Sequence, residues 1–212
     1  MSSFAGKVER CVSHLRWPGH DRHAETKTDM SVFVDRMIRA ATLDAGLYEE
    51  VEADPGALGQ AMGVVLLSSM ATGIGLLKTG GLEGLVIGTA MALFGWYVWA
   101  FLTYFIGTKL LPEPQTHATH KELLRTIGFA SSPGILRVLA VSPSLAQAVL
   151  LVTGVWMLVA MIIAVRQALD YRSMARAVGV CVIGWVVQGV ILTIVLNLFG
   201  GMYVSISGKE PT

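Results

Sequence analysis

The chain has 212 residues, of which 53% are hydrophobic and only 15% charged, about ten percentage points below the charged share of an ordinary soluble domain. Its 16 Lys and Arg nearly cancel its 15 Asp and Glu, leaving no basic field for nucleic acid and no acidic solvating tail. Cys11 and Cys181 lie far apart, which excludes a disulfide framework and argues against a Cys-rich metal or redox module.

Residues 1–29 are polar, lack hydrophobic periodicity and read as a disordered tail. Within them Cys11, His14, His20 and His23 place four metal-capable side chains in thirteen residues, but at a spacing that matches no zinc module, so this is a weak metal candidate. Met30-Ser31 stands directly before the first periodic segment, so Met30 is an alternative start. The residues after Met1 are polar and the first apolar window comes late, so no secretory signal is expected.

Residues 30–56 form a head before the first apolar window. Phe33 to Val51 reads as one amphipathic helix, with Phe33, Met37, Ala40, Ala41, Leu47, Tyr48 and Val51 on one face and Asp44 interrupting the stripe. Lying flat on the cytoplasmic leaflet would bury that face and let Arg36 and Arg39 meet lipid phosphates. Its acidic end, with Tyr48, Glu49, Glu50 and Glu52, offers a docking face for another membrane or cytoplasmic protein. Asp54 and Pro55 suit an N-cap and first helical position.

The remainder, 57–207, is dominated by uncharged windows at about 57–77, 84–108, 145–165 and 177–201. Each is long enough to cross roughly 30 Å of hydrocarbon. A further stretch, 123–141, is apolar but holds Arg125, Arg137 and a Ser-Ser-Pro-Gly break. If it crosses, thirteen Lys and Arg fall on one side and three on the other; if it does not, Arg166, Arg172 and Arg176 face outward in one short loop. The positive-inside rule therefore predicts five transmembrane helices in an all-α polytopic bundle, with a cytoplasmic N-terminus and an outer C-terminus. Pro133 leaves the carbonyl of Phe129 without its helical partner, so Ser131, Ser132 or a neighbouring helix must supply a donor. Arg137 is either interfacial or buried against polar groups such as Gln188, where it would mark a substrate path in the broken helix.

Gly59/Gly63, Gly84/Gly88 and Ala160/Ala164 have the small-xxx-small spacing of close helix packing, within the chain or across a homodimer. Tyr97, Phe101, Tyr104 and Thr108 share one helical face and could line a polar seam. Gln188, Thr193 and Asn197 offer hydrogen bonds to neighbouring helices. The spans carry no Asp, Glu or His, and no nucleophile with a base in reach, so an enzyme is not expected and no cofactor is implied.

From Met30 on, the chain resembles a bacterial member of the Yip family, the Ypt/Rab-interacting-protein domain. The resemblance is carried by FVDRMIRAATLDAGLYEEVEADPGALGQAM from Phe33, by LLRTIGFASSPGILRVL from Leu123 and by WMLVAMIIAVRQALDY from Trp156. It covers about residues 30–200 and implies five transmembrane helices, a cytoplasmic N-terminus in the cell inner membrane, and no catalytic residues. Eukaryotic relatives are associated with Rab GTPases and membrane shaping. The expected function is a non-enzymatic scaffold or adaptor that organises membrane lipids and recruits a partner. The alternative is a channel or small-solute permease subunit built on the broken third helix.

Overall fold

The computed structural model describes residues 29–75 and 77–207, all helix, turn or loop. The Cys11, His14, His20 and His23 cluster lies outside them. From Phe33 on the chain clusters as one compact unit; residues 29–32 are the first turn of α1.

The head is two helices, α1 (Asp29–Ala41) and α2 (Ala45–Ala53), where the periodicity predicts one. The break follows from Asp44, whose carboxylate accepts the Gly46 N–H at 3.0 Å and caps α2. Asp44 N–H bonds back to the Arg39 carbonyl and Leu43 N–H to that of Ala40, the bonding of a Schellman stop with Leu43 in its left-handed position (φ 64°). This folds α2 back on α1, so that Ala40, Leu47, Tyr48 and Val51 are all fully buried. Burial of Leu47 and Val51 contributes roughly 1.5–3 kcal/mol each.

Four long helices follow the head: α3 (Ala57–Gly75), α4 (Leu77–Phe105), α6 (Pro143–Ala168) and α7 (Met174–Ser207). The stretches Ala57–Gly75, Gly81–Leu110, Ser144–Ala168 and Met174–Ile191 are long and apolar enough to cross a membrane, so the chain is a multi-pass membrane protein. Asp54 accepts the Gly56 N–H at 2.9 Å and turns the chain through Pro55 into α3. Gly81 (φ 60°, ψ −171°) interrupts α4 near its start. A π-turn at Ile106–Leu110 ends that helix. At the end of α6, Asp170 (φ 52°) occupies the left-handed position of a second Schellman stop, with Tyr171 N–H on the Arg166 carbonyl and Asp170 N–H on that of Gln167.

Between α4 and α6 lie α5 (His120–Phe129) and a 3-10 helix (Ser132–Val141). A reciprocal capping box opens α5: Thr119 Oγ1 accepts the Glu122 N–H, and the Glu122 carboxylate accepts the Thr119 N–H at 2.7 Å. The break comes at Ala130–Ser131, and Ser132 Oγ donates to the orphaned Phe129 carbonyl at 2.7 Å, as the loss of the Pro133 N–H requires. Together α5 and the 3-10 helix follow α3 upward. A Cβ on Gly128 would stand 2.7 Å from Ala61 Cβ, one on Gly134 would strike Ser68, and one on Gly75 would strike the Arg137 carbonyl. The contacts thus advance along α3 from Ala61 to Gly75, roughly 21 Å at about 1.5 Å per residue.

The buried core gathers at the head end. One cluster joins the head to Ala57, Ala61, Val64, Phe129, Ala130, Ala160 and Ala164. The other joins Ala100 and Ile106 to Leu123, Leu124, Ile127, Val165, Ala168, Leu169 and the first turns of α7. Trp96 and Met161 pack against both.

Candidate functional site

The first candidate region is the head. Arg36, buried at 8% exposure, donates Nε to Glu50 at 2.9 Å and Nη1 to Gln60 at 2.8 Å, and pairs through Nη2 with Asp54 at 2.9 Å. Arg39 pairs with Asp44 at 2.8 Å and Glu50 at 2.5 Å. Both arginines are thus committed to internal carboxylates, which corrects their expected role on lipid phosphates. The bond from Arg39 holds the Asp44 carboxyl below the usual carboxylate range, and the bond from Arg36 does the same for Asp54. Partial burial alone would raise Glu50, but the hydrogen bonds from Arg39 and Arg36 outweigh it and leave the carboxyl depressed.

Tyr48 is also corrected. It is fully buried, its hydroxyl donates to the Ala40 carbonyl at 3.4 Å, and burial raises its pKa, so it belongs to the core rather than to a docking face. Glu49 is exposed and accepts from Gln167 at 2.7 Å. Glu52 is half-buried; burial first, then the charges of Asp170 and Glu122, push its carboxyl up to about 7 against the opposing pull of Arg125. The outward face of α1 carries Val34 and Ile38, 45% and 58% exposed, beside the exposed Asp35. The apolar stripe read from the sequence includes neither of these two.

Long-range polar bonds clamp the head to the bundle. Arg125, buried on α5, donates to the carbonyls of Val51 and Glu52 at the end of α2, where a cation also meets the negative end of the helix dipole. Trp156 Nε1 donates to the Ala41 carbonyl at 2.8 Å. The Phe33 ring lies against Gly63, 3.6 Å from where a Cβ would stand. The head thus touches α3 through Phe33 and α6 through the Ala41 carbonyl.

The second candidate region is a cavity of about 620 Å³ at the broken helix. Its polar lining is Ser68, Ser69, Thr72, Ser131 and Arg137, facing Gly84, Gly88 and Gly95 of α4. Arg137 is half-buried, and its Nε donates to Thr153 Oγ1 at 3.2 Å. Among the described residues no acid pairs with it and its terminal nitrogens have no hydrogen-bond partner. Ser69 and Thr72 spend their protons on the carbonyls of Leu66 and Ser68, leaving oxygen lone pairs as acceptors. Ser132 and Pro133 are buried behind this wall.

Gln188 does not meet Arg137. It lies beside Gly95, at a smaller cavity of about 260 Å³, with a buried Oε1 that has no hydrogen-bond partner. Thr193 and Asn197 bond back to their own helix, on the carbonyls of Gly189 and Thr193 at 2.8 Å each, instead of reaching neighbours. Ala160 and Ala164 pack fully buried within the chain. Gly59, Gly84 and Gly88 have nothing within 4 Å of a would-be Cβ, and the close approaches fall at other glycines, Gly73, Gly75, Gly107, Gly128 and Gly134 among them.

His120 enters the site description from the structure alone. Its ring meets those of Tyr97 at 4.9 Å, Phe101 at 6.0 Å and Tyr104 at 6.5 Å, edge to face. The three aromatics do share a face, as their spacing predicts, but that face packs on an imidazole and leaves Tyr97 and Phe101 exposed, with Thr108 bonded to its own helix at Tyr104. No local signal in the sequence links His120 to α4. In comparisons with known proteins, no family model, no curated protein and no solved structure matches the chain.

Proposed function

We propose that the chain is a non-enzymatic, Yip-like membrane-organising scaffold that crosses the membrane five times, N-terminus in the cytoplasm, and recruits a partner protein through its head. The fifth crossing is α5 with the 3-10 helix. The advance of Gly128, Gly134 and Arg137 along Ala61, Ser68 and Gly75 supports it, because a segment running parallel to a spanning helix crosses with it. A 3-10 helix also rises about 2.0 Å per residue, so ten residues reach about 20 Å. The charge distribution favours the same count.

The observation that carries the scaffold reading is the clamped head. Arg36, Arg125 and Trp156 hold α1 and α2 in one place on the bundle and leave Val34 and Ile38 outward beside Asp35. A fixed apolar pair with an adjacent acid is a recognition surface of low ordering cost. Replacing both Val34 and Ile38 with Glu should remove a stoichiometric partner purified from native membranes in mild detergent, with insertion unchanged. Co-purification that survives the double replacement overturns the reading.

The permease reading has the cavity beside Arg137 in its favour. It requires solute flux through liposomes holding the purified protein, lowered by Arg137→Leu; a tight bilayer excludes it.

A further inference from the structure

We infer that the cavity at the broken helix is a binding site for an anionic glycerophospholipid, with the lipid phosphate on Arg137 and an acyl chain in the adjoining apolar cavity. It rests on neither proposal for function, since a lipid can be held without transport and without a protein partner.

The argument begins with the charge. A guanidinium at membrane depth is expensive unless paired, and Arg137 has only Thr153 Oγ1 at 3.2 Å, through Nε. That bond fixes the plane of the guanidinium and leaves its terminal nitrogens as a fork suited to two oxygens of one phosphate. The arginines of the head show the contrast, since Arg36 and Arg39 are both met by carboxylates of their own chain.

The cavity walls then select the rest of the molecule. Ser69 and Thr72 already donate to their own helix and can only accept, which suits hydroxyl groups of a glycerol headgroup. On the opposite wall Gly84 and Gly88 have open space at their would-be Cβ positions, so the room is not filled by α4. At about 620 Å³ it holds a phosphoglycerol group with space to spare.

A second cavity of about 640 Å³ adjoins it, with Trp99, Met157 and Met161 forming the shared wall, and it continues past Leu158, Cys181 and Trp185. That lining is apolar and flexible at the methionines, which suits an acyl chain. A phosphate-bearing anion could also come from solution, but a free anion leaves the second cavity without a purpose. The juxtaposition favours the lipid.

The test uses the full chain in detergent, titrated with phosphatidylglycerol, phosphatidylcholine and inorganic phosphate, with intact-complex mass and intrinsic Trp fluorescence as readouts. Phosphatidylglycerol should bind roughly tenfold tighter than phosphatidylcholine, because both carry the phosphodiester but only the first brings a net negative charge to Arg137 and glycerol hydroxyls to Ser69 and Thr72. Arg137→Gln should bring the two lipids together, and Arg137→Lys should restore part of the preference. Val182→Phe keeps the charge and adds bulk to the second cavity, whose lining it shares but not that of the cavity at Arg137; it should weaken both lipids and spare inorganic phosphate. If Arg137→Gln does not fold, Val182→Phe and Arg137→Lys still decide. Equal affinity for the two lipids, or a preference indifferent to Arg137, overturns the site, and lipid affinity indifferent to Val182→Phe overturns the second cavity as the place of the acyl chain. Binding of inorganic phosphate that matches phosphatidylglycerol overturns the lipid as occupant.

Discussion

The two ends of the bundle treat charge and space in opposite ways. At the head end, Arg36 and Arg39 meet Asp44, Glu50 and Asp54 within 2.9 Å, and small residues such as Ala57, Ala61, Ala160 and Ala164 are fully buried. At the other end Arg137 meets a lone hydroxyl and the glycines of α4 face open cavity. Where every charge has a partner from its own chain, the arrangement is structural. Where one lacks a partner and has room beside it, the arrangement suits a ligand.

The largest effect should come from breaking the head network. Arg36→Leu strands Asp54 and leaves Glu50 with Arg39 alone; removal of one member of a buried pair costs about 3–5 kcal/mol, and because these carboxylates remain 40% and 38% exposed solvent screening lowers the expected loss to about 2 kcal/mol. Thermal unfolding in detergent measures it. Arg137→Gln, with no acid to strand, should shift the same transition far less. A loss as large as that of Arg36→Leu would erase the distinction between the two ends.

Packing gives the next contrast. Gly134→Ala drives a methyl into Ser68, and Gly128→Ala drives one into Ala61; overpacking of this kind costs about 1–3 kcal/mol. Gly88→Ala enters open space and should be neutral or stabilising by up to about 1 kcal/mol through helix propensity.

The smallest effect is on pH dependence, where the two sets of head carboxylates oppose each other. Glu52 titrates near 7 in the folded chain, above an unfolded carboxyl near 4.3, so the folded state binds the extra proton between those values. Its contribution to stability therefore falls as pH rises from about 4.3 to about 7, and Glu52→Gln should flatten that slope. Asp44, Glu50 and Asp54 are depressed, so their contribution is present at neutral pH and lost as acid protonates them. Unfolding midpoints between pH 4 and 8 for the native chain and Glu52→Gln separate the two; identical slopes would remove Glu52 from the account.

What was legible in the sequence was mostly local. Four long apolar windows gave four long apolar helices, and Pro133 implied a donor for the Phe129 carbonyl that Ser132 supplies. Asp44 reads as an interruption, but its effect goes with Leu43 taking a left-handed turn, which accompanies the burial of Leu47 and Tyr48 in the core. The partners of Arg36 come from three elements and follow only once that turn is made. Glycine spacing pointed to Gly84 and Gly88 because it reports which residues share a face, not which way the face turns. The approaches that matter, at Gly128 and Gly134, involve isolated glycines opposite Ala61 and Ser68.

The bond from Trp156 to the Ala41 carbonyl has a meaning for synthesis. It joins residues 115 apart, and at about 5–20 residues per second the indole leaves the ribosome roughly 6–23 s after the carbonyl it serves. Arg125 is likewise made 74 residues after Val51. Until then the carbonyls of Ala41, Val51 and Glu52 lack these donors, whereas the Arg36 bond to Gln60 of α3 needs only 24 further residues, so the head can meet α3 early and is fastened to α5 and α6 only later.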